Sequence, residues 1–181
     1  EDMARAAPSG LYINWPAVSP ASAWLVKGSA KKQLENRDKR LLELSRVFEA
    51  ARAYSTARSA RGADQPIDAR LEAMLPVLRG ELPVIARAET IQTIQSAVTF
   101  AGRQGIRLVI HGGHDAPLCA ALLKKHKVPV ILRSVYRLPR RRWESYDHRY
   151  TLPRRLQDAG ILFAISGSPT ARTAHMRNLP Y

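Results

Sequence analysis

The stretch LVIHGGHDA, residues 108–116, runs from an apolar segment straight into His111, Gly112, Gly113, His114 and Asp115. Two imidazoles at i and i+3 beside a carboxylate are donors suited to a divalent cation such as zinc, which makes His111, His114 and Asp115 the metal-ligand candidates. The cofactor itself stays open at this level. A plainer use exists for the same residues: a Gly-Gly pair gives a tight strand-to-helix turn its backbone freedom, and His114 or Asp115 can cap a helix beginning near Ala116. Exposed amides at such a helix start also attract anions, although GGHD lacks the P-loop pattern.

Arg87 and Arg133 also stand at the ends of short apolar runs. If they converge, two guanidinium groups clamp a carboxylate or phosphate; the alternative is that each pairs with an acid such as Glu89 or Asp115. Arg87, Arg133, His114 and Arg140 form the candidate anion-binding set. The last belongs to the densest basic run, RLPRRRWESYDHRY, where Trp143, Tyr146 and Tyr150 are interleaved with arginines. That composition suits a lid over a binding site, a surface loop, or a platform that stacks bases and neutralises phosphates. Ser166 and Ser168 flank Gly167, but AISGSPT is not G-x-S-x-G and no histidine-acid pair adjoins it. His111 and Ser168 are the catalytic candidates.

The elements that must hold these residues follow from periodicity. GLYINWP alternates as a strand does, with Leu11, Ile13 and Trp15 on one side. From Lys31 to about Arg58, Leu34, Leu41, Leu44, Phe48 and Ala51 mark one face of an amphipathic helix. IDARLEAMLPVLRG predicts a second helix that begins near Asp68 and stops at Gly80. From residue 81 onward LPVIARA, IRLVIHGG, VPVIL and ILFAIS alternate with three helical segments, each strand short and apolar. The domain reading is one unit: 1–30 irregular with a strand, 31–80 helical, 81–181 β/α repeats. The class is α/β with a parallel sheet covered by helices on both faces; open doubly wound sheet and partial (β/α) barrel are not separated by this pattern. In either, chemistry belongs at the carboxyl ends of the strands.

Composition narrows the partners only broadly. Twenty-nine Lys and Arg against fifteen Asp and Glu give a net charge of +14, spread over every segment, so polyanions are attracted without being specified. No recognisable RNA or DNA motif accompanies the charge, which argues against nucleic acid as the partner. The single cysteine, Cys119, lies in a small apolar run and reads as a buried residue, with no disulfide or cysteine-rich zinc site to build. No apolar stretch reaches the ~20 residues a membrane helix needs.

GLYINWP, the block from 83 to 132, the loop LPRRRWESYDHRY and the closing ARTAHMRNLPY together resemble the imidazolonepropionase-like branch of the amidohydrolase superfamily. The resemblance covers nearly the whole chain and about the latter half of such an enzyme's barrel. It implies a partial TIM-type barrel, about strands 4 to 8, with the strands at 11–15, 83–88, 106–111, 128–132 and 161–166, and the helical segment before the β/α repeats. The strands that open the family's metal site would lie upstream. In metal-bearing members a lysine ends the fourth strand, histidines end the fifth and sixth, and an aspartate ends the eighth. Here Tyr12 stands at the lysine position and Arg87 at the fifth-strand histidine; Gly112, next to His111, matches the sixth, and Ser168 replaces the aspartate.

The resemblance therefore implies a metal-dependent-hydrolase-like fragment acting on C–N bonds, degenerate at its metal site. A non-catalytic barrel that binds an anion or pairs with a partner is the alternative, and a basic nucleic-acid-binding module is the third. Half a barrel leaves strand edges unpaired, so its expected partner is the missing N-terminal half or a homo- or hetero-oligomer. Relatives with leaders are often exported, which leaves an exported or periplasmic location open.

Overall fold

The structure is a computed structural model that describes residues 8–17, 29–61, 66–133 and 138–166. Five strands form one sheet: β1 (Leu11–Asn14), β2 (Val84–Ala88), β3 (Leu108–Gly112), β4 (Val130–Leu132) and β5 (Phe163–Ile165). All neighbours are parallel, and the spatial order is the chain order, β1-β2-β3-β4-β5. A doubly wound sheet reverses direction at a switch point. This one never does, so its topology is that of successive barrel staves.

Crossovers that all advance the same way, with the right-handed sense such connections take, put their helices on one side of the sheet. The expectation that both faces are covered is therefore corrected. Val84, Ala86, Ala88, Leu108, Ile110, Val130 and Leu132 are buried among Ile94, Ala97, Val98, Leu123 and Leu156 of the helices. The alternate residues Ile85, Arg87, Val109, His111 and Ile131 point the other way and are only half-buried or exposed.

Helix α1 (Ala30–Arg61) buries the expected stripe, with Phe48 and Ala51 inaccessible and Phe48 edge-on to Phe100. It lies between β1 and β2, so the helical segment is part of the first crossover and does not precede the sheet. The expected second helix is two, α2 (Ala69–Glu72) and α3 (Leu75–Leu78). Pro76 has no N–H for the Glu72 carbonyl and cannot continue a helix through that turn. Asp68 caps α2 as expected, accepting from the Arg70 and Leu71 amides at 2.9 and 3.4 Å.

Helix α4 (Ile91–Gln104) is capped by Thr90 with Thr93 and closed by Gly105 at φ +62°. The segment after β3 opens as a 3₁₀ turn (Ala116–Cys119) before α5 (Ala120–Lys125), and α6 (Leu152–Asp158) leads into β5. Among the described residues no helix is long and apolar enough to cross a membrane.

The turn that carries the chemistry-bearing residues is tied to the preceding strand. Gly113 donates its amide to the Ala88 carbonyl at 2.8 Å, and Asp115 donates to Glu89 at 2.9 Å. Gly113 has φ +61°, and a Cβ there would lie 2.5 Å from Val130 Cγ1. Gly105 has a similar φ but open space around it. Gly113→Ala should thus cost about 2–4 kcal/mol, strain plus overpacking, and Gly105→Ala about 1 kcal/mol, strain alone. Denaturant unfolding of the two variants measures the difference; equal costs would mean the turn is not packed as described.

Candidate functional site

The carboxyl ends of the strands carry two separate groups of polar residues, one on each face of the sheet. On the open face, Asn14, Arg87, His111, Ile131 and Ala164 are successive register partners and form one row across all five strands. Arg87 is exposed and joins no ion pair among the described residues. His111 is half-buried, its Nδ1 2.7 Å from the Tyr12 hydroxyl, with the two rings edge-on. Burial, then the charge of Arg133, then that of Arg87 hold the His111 pKa below its usual 6.5 against an opposing pull from Glu89. A neutral ring that accepts the Tyr12 proton at Nδ1 keeps its own N–H at Nε2.

Arg133 and Arg140 complete this rim through Glu89, whose carboxylate lies 3.7 Å from Arg133 and 3.5 Å from Arg140. Both separations are longer than hydrogen bonds. Gly112 is what lets Glu89 lie there: a Cβ at Gly112 would sit 2.8 Å from the Glu89 carboxyl carbon. The acid-paired alternative for Arg133 is thus met by Glu89, while Arg87 takes no acid among the described residues.

On the helix face, His114 and Asp115 are almost wholly buried with Glu144. Asp115 does not cap its own 3₁₀ turn. Its carboxylate accepts the first amide of α4, from Ile91, at 3.2 Å and takes a two-pronged pair from Arg141 at 2.6 and 2.7 Å. Glu144 takes four donors: His114 Nε2 at 2.7 Å, the Arg140 and Arg141 amides at 2.7 and 3.3 Å, and the Arg141 guanidinium at 3.1 Å. Burial alone would raise the Glu144 pKa; the His114 bond, the Arg140 amide and the His114 charge outweigh it and hold the carboxyl at about 2. Burial likewise pushes Asp115 up and Arg141 more than reverses it. These bonds clasp the loop 138–151 onto the β3 turn.

His111, His114 and Asp115 are therefore not brought together as one metal centre: His111 lies in β3 on the open face, and the turn at Gly112 and Gly113 carries His114 and Asp115 to the other. The His, Cys, Asp and Glu side chains that do converge, among the described residues, are His114, Glu144 and His148, with ligand atoms within 4.8 Å of one another. Part of this donor set is already committed, while His114 Nδ1 and His148 Nε2 are buried without a hydrogen-bond partner among the described residues. Glu144 already has its four donors, and Arg155 lies 3.3 Å from His148 Nδ1, a nitrogen that must accept from a guanidinium. With Arg141 and Arg155 adjoining, the trio is a hydrogen-bonded lock and a poor cradle for a dication.

The positions at which the family's metal ligands are expected fit a divalent cation no better. Guanidinium has no lone pair to give, so Arg87 cannot ligate, and His111 Nδ1 is taken by Tyr12. Ser168 lies outside the described residues; Ser166 donates its hydroxyl to the Leu132 carbonyl at 3.1 Å. Cys119 is buried as expected, and burial followed by the Asp115 charge raises its thiol pKa, which keeps it unreactive.

Sequence reasoning named Glu89 as an acid partner for the arginines and missed Arg141, Glu144 and His148. Glu144 follows three arginines in RRRWE, but no local signal relates it to His114 thirty residues away.

No family model matches the chain, and no curated protein does. Among solved structures it is similar to an amidohydrolase from Thermotoga maritima MSB8, with a TM-score of 0.66 and 20% identity over 88% of this chain. The match spans 42% of that protein's length. The likeness is one of fold, and it makes this sheet and its helices amidohydrolase-like in architecture.

Glu144→Ala strands His114 and Arg141 in the interior and should cost about 3–5 kcal/mol. Asp158→Ala, which removes an exposed pair with Arg154, should cost under about 1 kcal/mol. The folded Glu144 pKa is depressed, so its stabilisation is complete above 4.5, the ordinary value, and is lost as pH falls from there toward about 2. Acid unfolding compared between wild type and Glu144→Gln tests this: identical acid limbs would remove Glu144 from the account.

Proposed function

We propose that the chain is the latter part of an amidohydrolase-like barrel whose mouth holds an anionic ligand by arginines in place of a resident metal. The observation that carries this is the row in which Arg87, in no ion pair among the described residues, stands in register with His111 on the uncovered face at the carboxyl ends of the strands. A guanidinium at that place binds carboxylate or phosphate oxygens two at a time. Arg133 is near enough to depress His111, and Arg140 shares Glu89 with it, so a ligand anion can draw both cations from their long pairs. His111, with Nε2–H free of the Tyr12 contact, offers the ligand a neutral donor.

The imidazolonepropionase-like resemblance supports a carboxylate-bearing amide as the ligand class. Hydrolysis of its C–N bond through metal-bound water has no support in Tyr12, Arg87 and His111. The reading also assigns the open sheet face a covering partner, the N-terminal half of a barrel or another subunit. Its support is the half-exposed Ile85, Val109 and Ile131 and the two edge strands β1 and β5.

Calorimetric titration with a carboxylate-bearing cyclic amide and with its methyl ester tests the mouth. The acid should bind and the ester should not, and Arg87→Ala and Arg133→Ala should each weaken the acid about 10- to 100-fold, as expected for a charge-assisted bond. Chelator should change nothing. Because the His111 pKa is lowered, affinity should rise only as pH falls below its usual 6.5 and the ring gains a proton. Equal affinity in both variants, or binding that requires added metal, would sink the reading.

A further inference from the structure

A cavity of about 690 Å³ lies at the opposite end of the sheet, where the strands begin. Its floor is apolar, with Val98 of α4, Leu108 of β3, Leu123 of α5, and Val128 and Ile161 ahead of β4 and β5. Arg107, Lys124, His126 and Lys127 surround it. Arg107 spends one nitrogen on the Gly80 carbonyl at 3.0 Å. Lys124 and Lys127 join no ion pair among the described residues.

Two features set this place apart from an ordinary helix end. Helices α4 and α6 are each followed by a glycine in the left-handed region, Gly105 at φ +62° and Gly160 at φ +66°, but after α5 the same conformation is taken by Lys127 at φ +51°. An L side chain there is strained, and such strain persists where the side chain has a use. The second feature is the charge balance. The carboxyl ends of α4, α5 and α6 converge on the cavity, each with about half a negative charge at most. Full charges on Arg107, Lys124 and Lys127 exceed that sum, so the rim stays cationic beyond what the helix ends require.

We infer that this cavity binds a small anionic amphiphile, a free fatty-acid-like molecule whose carboxylate meets Lys124 and Lys127 and whose tail lies over the accessible apolar lining of Pro83, Pro129 and Leu162. Its volume is within the usual range for ligand pockets, and an apolar floor with a few placed charges is the usual lining. The site is independent of the arginine mouth and stands or falls without it.

Calorimetry on the full chain with decanoate and with decanol tests the site. Decanoate should bind at one per chain, and decanol at least 10-fold more weakly. Lys124→Glu should weaken decanoate at least 10-fold. Lys127→Gly should weaken it while raising the unfolding midpoint, because glycine relieves the backbone strain; loss of binding then cannot be loss of fold. Arg70→Ala, an exposed guanidinium away from the cavity lining, should leave decanoate affinity unchanged. Decanol binding as tightly as decanoate, unchanged affinity in both lysine variants, or no saturable binding would each overturn the inference.

Discussion

Every crossover in this chain steps to the next strand in the same direction, and that single constraint divides the molecule into two unlike faces. A sheet wound one way places its helices on one side, where β-branched and small residues of β2, β3 and β4 pack with Ile94, Val98, Leu123 and Leu156. The opposite side receives every alternate side chain, including Arg87 and His111. Because the pleat has a period of two, neighbours in sequence at the end of β3 serve different surfaces. His111 reaches Tyr12 on the open face, while His114, past the Gly112–Gly113 turn, is sealed under the loop from 138 to 151.

The second consequence concerns charge. A net +14 suggests a uniformly cationic surface, yet the arginines near the strand ends are in three different states. Arg141 is consumed by Asp115 and Glu144, at distances that leave it nothing to offer a ligand. Arg133 and Arg140 share Glu89 through long contacts that a competing anion can replace. Arg87 is unpaired among the described residues. Only the last two groups keep guanidinium nitrogens outside short ion pairs, and both are at the carboxyl ends of the strands. Burying Asp115, Glu144 and His114 together is costly, and the clasp is retained because each oxygen has its donors; it holds a highly charged loop in place where apolar packing is scarce. The Arg141 guanidinium lies over the Trp143 ring at 5.2 Å, and Trp143 remains largely exposed.

Strand positions, the amphipathic stripe of α1 and the helix stops at Gly80, Gly105 and Gly160 were legible in the sequence, because each is set by local periodicity or by a residue whose backbone range is special. Pro76 was equally legible as a helix breaker, and the expectation of one helix through it failed for having weighed the apolar spacing above the missing N–H. The resemblance in the block from 83 to 132 carried the α/β architecture, and the fold comparison agrees with it at that level. Glu144 and His148 could not be read this way. They are thirty or more residues from His114, and no local rule relates a loop acid to a buried turn histidine.

What the sequence determined alone is which residues are extended, which are helical, and that Arg87, His111 and Arg133 end strands. Tertiary structure decided the rest: that the sheet is wound one way, that His111 and His114 part company across the Gly112–Gly113 turn, and that Asp115 accepts the first amide of α4 and does not cap its own turn. The reason is that periodicity fixes a side chain's phase within its own element, whereas its partner is chosen by elements brought alongside from far along the chain.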